Sequence, residues 1–336
     1  MPGSRTITTI DAHAAGEPLR IVTAGLPPLP GATILARRRA MLAHYDDLRR
    51  ILMWEPRGHA DMYGCILTPP VTAEAAYGVL FMHNEGYSTM CGHGIIALTT
   101  ALLETGQVPR TSPVTEVGYD TPAGFIRARA EIDGDRVRRV TFRNVPSFVH
   151  TAGLRIDLDG RPVTVDVVFG GAFYALVAAT ALAPNITVRP ERVTELIARG
   201  MAVKHAVEAA AAIVHPTEPE LQGIYGTIIT GPAAGEEARQ RNVTVFAEGE
   251  VDRSPCGTGT AATTAAFVAR GTLPLGEEWT NESIIGTRFT GRAIAETQVG
   301  EYPAIIPEIG GRGFITGYHT FVLDPDDEAG RGFLVR

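Results

Sequence analysis

Apolar residues follow two rhythms along the chain. Short runs rich in Val, Ile, Phe and Tyr, bounded by Gly, Pro or Asn, occur at 76–83 (AYGVLFMH), 136–145 (RVRRVTFRNV), 163–171 (VTVDVVFGG), 225–232 (YGTIITGP) and 314–325 (FITGYHTFVLDP). Their length and punctuation predict strands. Stretches with helical spacing are fewer: 32–52 (ATILARRRAMLAHYDDLRRIL), 189–213 (RPERVTELIARGMAVKHAVEAAAAI) and two runs that each follow a cysteine, 92–106 and 257–271. Strands dominate, with a few helices inserted among them. The TPAG and IDGD turns between Thr121 and Asp135 are expected to mark the first crossing between two domains, and the last strand is expected to return to the first half. That division gives 1–128 plus 304–336 as one domain and 129–303 as the other.

The pattern also repeats. MCGHGIIALTTALLETG (90–106) around Cys91 is mirrored by PCGTGTAATTAAFVARG (255–271) around Cys256. Each Cys is followed by Gly-x-Gly, by Ala six and Thr eight positions later, and by a closing Gly after fifteen; a Phe stands ten positions before each, Phe81 and Phe246. Further upstream, YGCILTPP from Tyr63 matches YGTIITGP from Tyr225. Copies 165 residues apart are no solenoid repeat and imply two similar, pseudo-symmetric domains from an internal duplication.

Composition narrows the partners. A chain of 336 residues with 45% hydrophobic content is globular and fits about two domains of ordinary size. Thirty Lys and Arg against 37 Asp and Glu give a formal charge of −7 without any basic block, which argues against nucleic acid. The N-terminal MPGSRTITTIDAHAAGEP has no apolar segment of the secretory kind and no run of about eighteen apolar residues occurs, so a membrane partner is not expected and the cytoplasm is the default compartment. Three cysteines, Cys65, Cys91 and Cys256, are too few and too unevenly placed for a disulfide framework. Cys65, inside a strand-like run, reads as a small buried hydrophobe.

The other two cysteines are placed for chemistry. A thiol directly before a Gly-x-Gly that opens a helix sits among first-turn amides that lower its pKa and can also hold an anion such as a substrate carboxylate. Two such thiols from two similar domains, facing one cleft, suit proton transfer at a carbon next to a carboxylate: one removes the α-hydrogen from one face and the other delivers a proton to the opposite face. Phe81 and Phe246 are placed to line an apolar pocket. Asp252, four residues before Cys256, can accept from a substrate ammonium, and His93 can orient a neighbour or assist proton traffic. Competing motifs fail on context. Both Gly-x-Gly segments match the dinucleotide fingerprint, but in the first copy a polar loop, HNEGYSTMC, separates strand from glycine. Gly86-Tyr-Ser88-Thr-Met90 lacks the second glycine of a hydrolase elbow, and the scattered histidines form no zinc motif. No cofactor is expected.

HAAGEP (13–18), EPRGH (55–59), DMYG (61–64), NEGYSTMCGH (84–93), FGGAF (169–173), DRSPCGTGT (252–260) and GFLVR (332–336) resemble the proline racemase family, which also holds hydroxyproline 2-epimerases and trans-3-hydroxy-L-proline dehydratases. The resemblance spans nearly the whole chain. It implies an α+β, diaminopimelate-epimerase-like fold of two pseudo-symmetric domains, each with a central helix, with the active site in the cleft between them. It also implies a homodimer, no cofactor and a small-molecule substrate, proline or hydroxyproline. Cys91 and Cys256 match the two catalytic acid/base positions; Gly92, His93, Gly257 and Thr258 match the turns that hold the substrate carboxylate. Asp252 matches the acidic residue near the ring nitrogen, and Tyr63, Phe81 and Phe246 the aromatic trio around the ring. Dehydratases of the family generally carry Thr at the second catalytic position, so Cys256 favours a racemase or epimerase. The body of the chain, in HAAGEPLRIV and LMWEPRGHADMYG, looks more like the dehydratases. A lyase is therefore the alternative, and a non-catalytic imino-acid-binding protein a third.

Overall fold

A computed structural model describes residues 5–335. In chain order the first elements are β1 (Arg5–Ala14), β2 (Glu17–Ala24), α1 (Ile34–His44), α2 (Asp46–Met53), β3 (Tyr63–Thr68), β4 (Tyr77–His83), β5 (Tyr87–Ser88), α3 (Gly92–Glu104), β6 (Val114–Thr121), β7 (Gly124–Asp133) and β8 (Arg136–Arg143). There follow β9 (Ser147–Leu158), β10 (Arg161–Phe169), β11 (Phe173–Ala178), α4 (Ala179–Leu182), α5 (Val193–Ala210), β12 (Gly226–Gly231), β13 (Gln240–Phe246) and β14 (Glu250–Asp252). The path closes with α6 (Gly257–Ala269), β15 (Glu278–Ser283), β16 (Arg288–Val299), β17 (Tyr302–Gly311) and β18 (Gly313–Leu323). Two compact units result, one running through Val140 and completed by the chain from Arg312, the other spanning Thr141–Gly311.

The first boundary lies later than the turns suggest. TPAG is the hairpin turn between β6 and β7, which pair from Val114↔Glu131 to Thr121↔Gly124, and IDGD is the turn from β7 to β8, so both lie inside the first unit. The return crossing falls after Gly311 instead of at 303/304, because β17 stays paired with β16 to its end, Thr290↔Gly310. The helical run at 32–52 is broken at Tyr45 (φ −138°) into α1, capped by the Thr33 hydroxyl, and α2, whose first-turn Asp46 pairs with Arg49 at 2.7 Å.

In the first unit β18 pairs antiparallel with β1, β1 antiparallel with β2, and β2 parallel with β3. From there β3–β4 is antiparallel, β4–β6 parallel and β6–β7 antiparallel. The second unit reproduces the sequence of pairings: β9–β10 and β10–β11 antiparallel, β11–β12 parallel, β12–β13 antiparallel, β13–β15 parallel and β15–β16 antiparallel. In both, a two- or three-residue strand, β5 or β14, pairs back on the hairpin just before the cysteine. The repeat read from the sequence is thus a repeat of topology.

Each unit has one helix buried over most of its length. From Gly92 to Leu103 every residue of α3 is buried, as is every residue of α6 from Gly257 to Ala266. A helix with apolar residues on every side belongs in a core, and three of the threonines in these helices return their hydroxyls to the helix: Thr99 to the Ile95 carbonyl (2.7 Å), Thr100 to Ile96 (2.9 Å) and Thr264 to Thr260 (2.7 Å). Close approach by glycines lets strands lie on them. A Cβ at Gly313 of β18 would stand 3.1 Å from Ala97 Cα, and one at Gly170 would stand 2.3 Å from the Thr258 carbonyl oxygen. Gly106 (φ 74°) and Gly271 (φ 66°), the fifteenth residues after each cysteine, end the two helices in the left-handed conformation. On the other face of the first unit, α1 and α2 bury Ile34, Met41, Leu48 and Leu52 against Ile7, Val22, Ile66 and Leu80. Each such side chain contributes about 1.5–3 kcal/mol relative to exposure.

Candidate active site

In the first unit the polar loop after β4 delivers Cys91 to the N-cap of α3 in extended backbone (φ −143°, ψ 111°), and its sulfur accepts the Gly94 N–H at 3.2 Å. His93 folds back so that Nδ1 lies 3.2 Å from Cys91 Sγ. An imidazole at that distance can share the thiol proton and hold a thiolate–imidazolium pair. Tyr63 packs edge-on against His93 (ring centroids 4.8 Å) and stacks on His83 (5.7 Å), while its hydroxyl bonds Ser88 Oγ. Phe81, opposite Cys65 and Ser88 in the sheet, walls the turn: a Cβ at Gly94 would meet Phe81 Cε1 at 2.5 Å and Cys91 Sγ at 2.9 Å. Cys91, Gly92, His93, Tyr63 and Phe81 are therefore gathered in one place.

The second unit uses the same cap with different neighbours. Cys256 Sγ accepts the Gly259 N–H at 3.3 Å, but the residue sits at φ 62°, ψ 110°. A side chain in that left-handed region carries strain of about 1–3 kcal/mol unless its surroundings fix it. Thr258 takes the place of His93, its Oγ1 3.7 Å from the sulfur and 2.6 Å from the Tyr174 hydroxyl, which is itself 3.8 Å from the sulfur. Asp252 Oδ1 accepts the Ser254 N–H at 2.8 Å, and Ser254 Oγ accepts the Cys256 N–H at 3.1 Å, so the acidic residue builds the cysteine loop. Asp252, Cys256, Gly257 and Thr258 come together. Phe246 does not mirror Phe81: it lies opposite Gly226 at the end of β13 and stacks on Tyr225 (5.4 Å), and Ile228 Cδ1 stands against Gly259 in its stead.

The electrostatics of the second turn run against the expectation of a lowered thiol pKa. Burial, and after it the Asp252 carboxylate, push Cys256 up to about 12, outweighing the Gly259 N–H and the hydroxyls of Thr244 and Thr258. Desolvation of a thiolate that is 5% exposed exceeds the helix-terminus effect, so Cys256 is a protonated thiol at neutral pH. Asp252 is itself raised to about 6, chiefly by burial. Cys65, buried in β3, is a small hydrophobe of the core, with burial pushing its thiol up.

Several contributors carry no local mark in the sequence. Tyr174 follows FGGAF directly, Ser254 lies inside DRSPC, and Asn242 and Asn281 reach the Cys256 turn from β13 and β15. Only Ser254, two residues before the cysteine, stood close enough to have been found by spacing. Among the described residues no three His, Cys, Asp or Glu side chains form a metal-binding group, and no helix is long and apolar enough to cross a membrane.

Comparison with known proteins gives these features a lineage. Over 335 residues, all of both chains, the protein is 47% identical to a trans-3-hydroxy-L-proline dehydratase of Bacillus thuringiensis subsp. konkukian (strain 97-27). It is 48% identical over 334 residues, 99% of each chain, to a 3-hydroxyproline 2-epimerase of Burkholderia multivorans (strain ATCC 17616 / 249). Among solved structures it resembles a hydroxyproline epimerase from Agrobacterium vitis with bound trans-4-OH-L-proline, with a TM-score of 0.93 at 32% identity, covering 98% of this chain and 95% of that one. The fold is α+β of the diaminopimelate-epimerase-like kind. The family model for proline racemase matches residues 9–334, and the chain is an enzyme of the proline racemase family.

Proposed function

We propose that the protein acts on trans-3-hydroxy-L-proline, removing its Cα proton and eliminating the 3-hydroxyl as water to give pyrroline-2-carboxylate. The observation that carries this reading is that relatives identical at 47–48% from end to end are named for one substrate, 3-hydroxyproline. This reverses the order suggested by the catalytic pair alone, in which Cys256 favours inversion. The inequality of the two cysteines supports the reversal, because elimination needs a base and an acid of different character, whereas inversion suits two matched groups.

In this mechanism the substrate carboxylate rests on the first-turn amides around Gly92, His93, Gly257 and Thr258, and Asp252 receives the ring nitrogen. Cys91, whose own proton the His93 nitrogen 3.2 Å away can accept, takes the Cα proton, and the electron pair passes into the carboxylate as an enediolate. That pair then forms the Cα–Cβ double bond as the Cβ–O bond breaks. Cys256, a protonated thiol, gives its hydrogen to the departing hydroxyl, and water leaves. The enamine product tautomerises to the cyclic imine. Tyr63 and Phe81, with Ile228 in the place Phe246 was expected to fill, are assigned to the apolar surround of the ring, and the active species to a homodimer.

A second reading keeps the first step and changes the last. If Cys256 protonates Cα from the opposite face, the β-hydroxyl survives and the product is the C2 epimer, the reaction named for the Burkholderia multivorans relative. Incubation with trans-3-hydroxy-L-proline, trans-4-hydroxy-L-proline and L-proline, each in D₂O, followed by proton NMR, separates the readings. Dehydration removes the Cβ carbinol signal, whereas epimerisation keeps it and puts deuterium at Cα. Neither product nor Cα exchange with the 3-hydroxy substrate refutes both.

A further inference from the structure

Cys91 and Cys256 share a motif but not a backbone. Cys91 sits in extended conformation, while Cys256 is held at φ 62°. The peptide before Cys256 is where the difference is enforced. The Pro255 carbonyl accepts from Asn242 Nδ2 (3.0 Å), Asn281 Nδ2 (3.2 Å) and Thr260 Oγ1 (3.2 Å). Three donors saturate an oxygen with two lone pairs. Asn281 Nδ2 also donates to Thr260 Oγ1 at 2.9 Å, joining the clamp to the first turn of α6. Asn242, Asn281 and Thr260 have no exposed surface, and neither Asn belongs to the loop it holds. Two amides carried on separate strands are a costly arrangement for a core unless they fix something.

We infer that Asn242 and Asn281 are positioning residues, which hold the Pro255–Cys256 peptide in its left-handed turn and thereby aim the Cys256 thiol and the Gly257–Gly259 amides at the substrate. The inference rests on the acid role given to Cys256 above. Without the clamp the peptide relaxes to negative φ, swinging the side chain and the amides together. Geometry of this kind is worth on the order of 10- to 100-fold in rate when lost.

The test is Asn281→Asp, which keeps shape but replaces the amide donor with an acceptor. Thr260→Val, nearly isosteric, serves as a second variant that removes a donor with little change in volume. Two readouts are taken on the full chain. The first is turnover of trans-3-hydroxy-L-proline; the second is the iodoacetamide alkylation rate of each cysteine, resolved by peptide mass spectrometry. The expected result is a kcat lowered on the order of tenfold or more, with Cys256 alkylated about fivefold faster, as the thiol gains access to solvent, while Cys65 and Cys91 keep wild-type rates. A rise at all three cysteines together means the asparagines only stabilise the fold, and the inference is overturned. Unchanged Cys256 reactivity overturns it as well. Because alkylation needs no substrate, a wild-type enzyme inactive on 3-hydroxyproline would overturn the proposed reaction and leave the clamp to be judged on its own data.

Discussion

Replacing Asp252 with Asn separates the charge of this carboxylate from its hydrogen bond. The amide oxygen of Asn keeps the acceptor for the Ser254 N–H, so the loop before Cys256 retains its turn. What disappears is a buried negative charge. Burial raises Asp252 from an ordinary 3.8 to about 6. The folded chain therefore holds a proton that the unfolded chain has released across that window, and stability falls as pH rises through it. Above about pH 6 the full cost stands; at about 1.4 kcal/mol per pH unit it comes to about 3 kcal/mol. At about pH 5, where the folded carboxyl is largely protonated, roughly half remains. Asp252→Asn is thus expected to stabilise the protein by about 3 kcal/mol near pH 7.5 and by about half that near pH 5, raising the unfolding midpoint by about 5 °C or more at the higher pH. Turnover should fall on the order of 100-fold, because the substrate nitrogen loses its counter-charge. Calorimetric unfolding at both pH values beside an activity assay measures all of this. A variant no more stable than wild type near pH 7.5, or one stabilised equally at both, refutes the reasoning.

Cys91→Ser and Cys256→Ser are each expected to lower turnover on the order of 10²- to 10⁴-fold, read by NMR product formation, since a hydroxyl is a poor substitute for either thiol. Gly94→Ala places a methyl 2.5 Å from Phe81 Cε1, a ring with no exposed surface, and should destabilise by about 1–3 kcal/mol in chemical unfolding while abolishing activity. Cys256→Thr puts a β-branched residue at φ 62° and should cost about 1–2 kcal/mol more than Cys91→Thr, whose site is extended; equal losses in thermal unfolding would contradict the backbone assignment.

Features encoded by neighbouring residues were the readable ones. A thiol before Gly-x-Gly, a buried helix of Ala, Thr, Ile and Leu, and a Gly at the far end are local statements, and both copies made them. Features that depend on register or on distant partners were hidden. Counting ten residues back from each cysteine finds a Phe in both copies, but Phe81 pairs opposite Cys65 in mid-strand whereas Phe246 lies opposite Gly226 at a strand end. The TPAG and IDGD turns have the composition of a linker and serve as tight strand-to-strand turns within one unit, because Gly and Asp favour reversals wherever they fall. Nor can the letters CGxG report that one cysteine is extended and the other left-handed: that difference is imposed by Asn242 and Asn281 from other strands. The weakness of the helix dipole against burial at Cys256 likewise appears only once the depth of the site is known.

The pairing of β18 with β1 has a bearing on how the molecule is made. β1 is flanked by β2 and β18, and the backbone of β18 lies directly on α3 at Gly313. The first unit thus keeps one side of its central helix bare until residues 313–323 are free to pair, whereas the second unit, unbroken in sequence, holds all its strands before Arg312. The half that is begun first is finished last, and a chain cut short at residue 311 would display the wall of the Cys91 helix to chaperones and proteases.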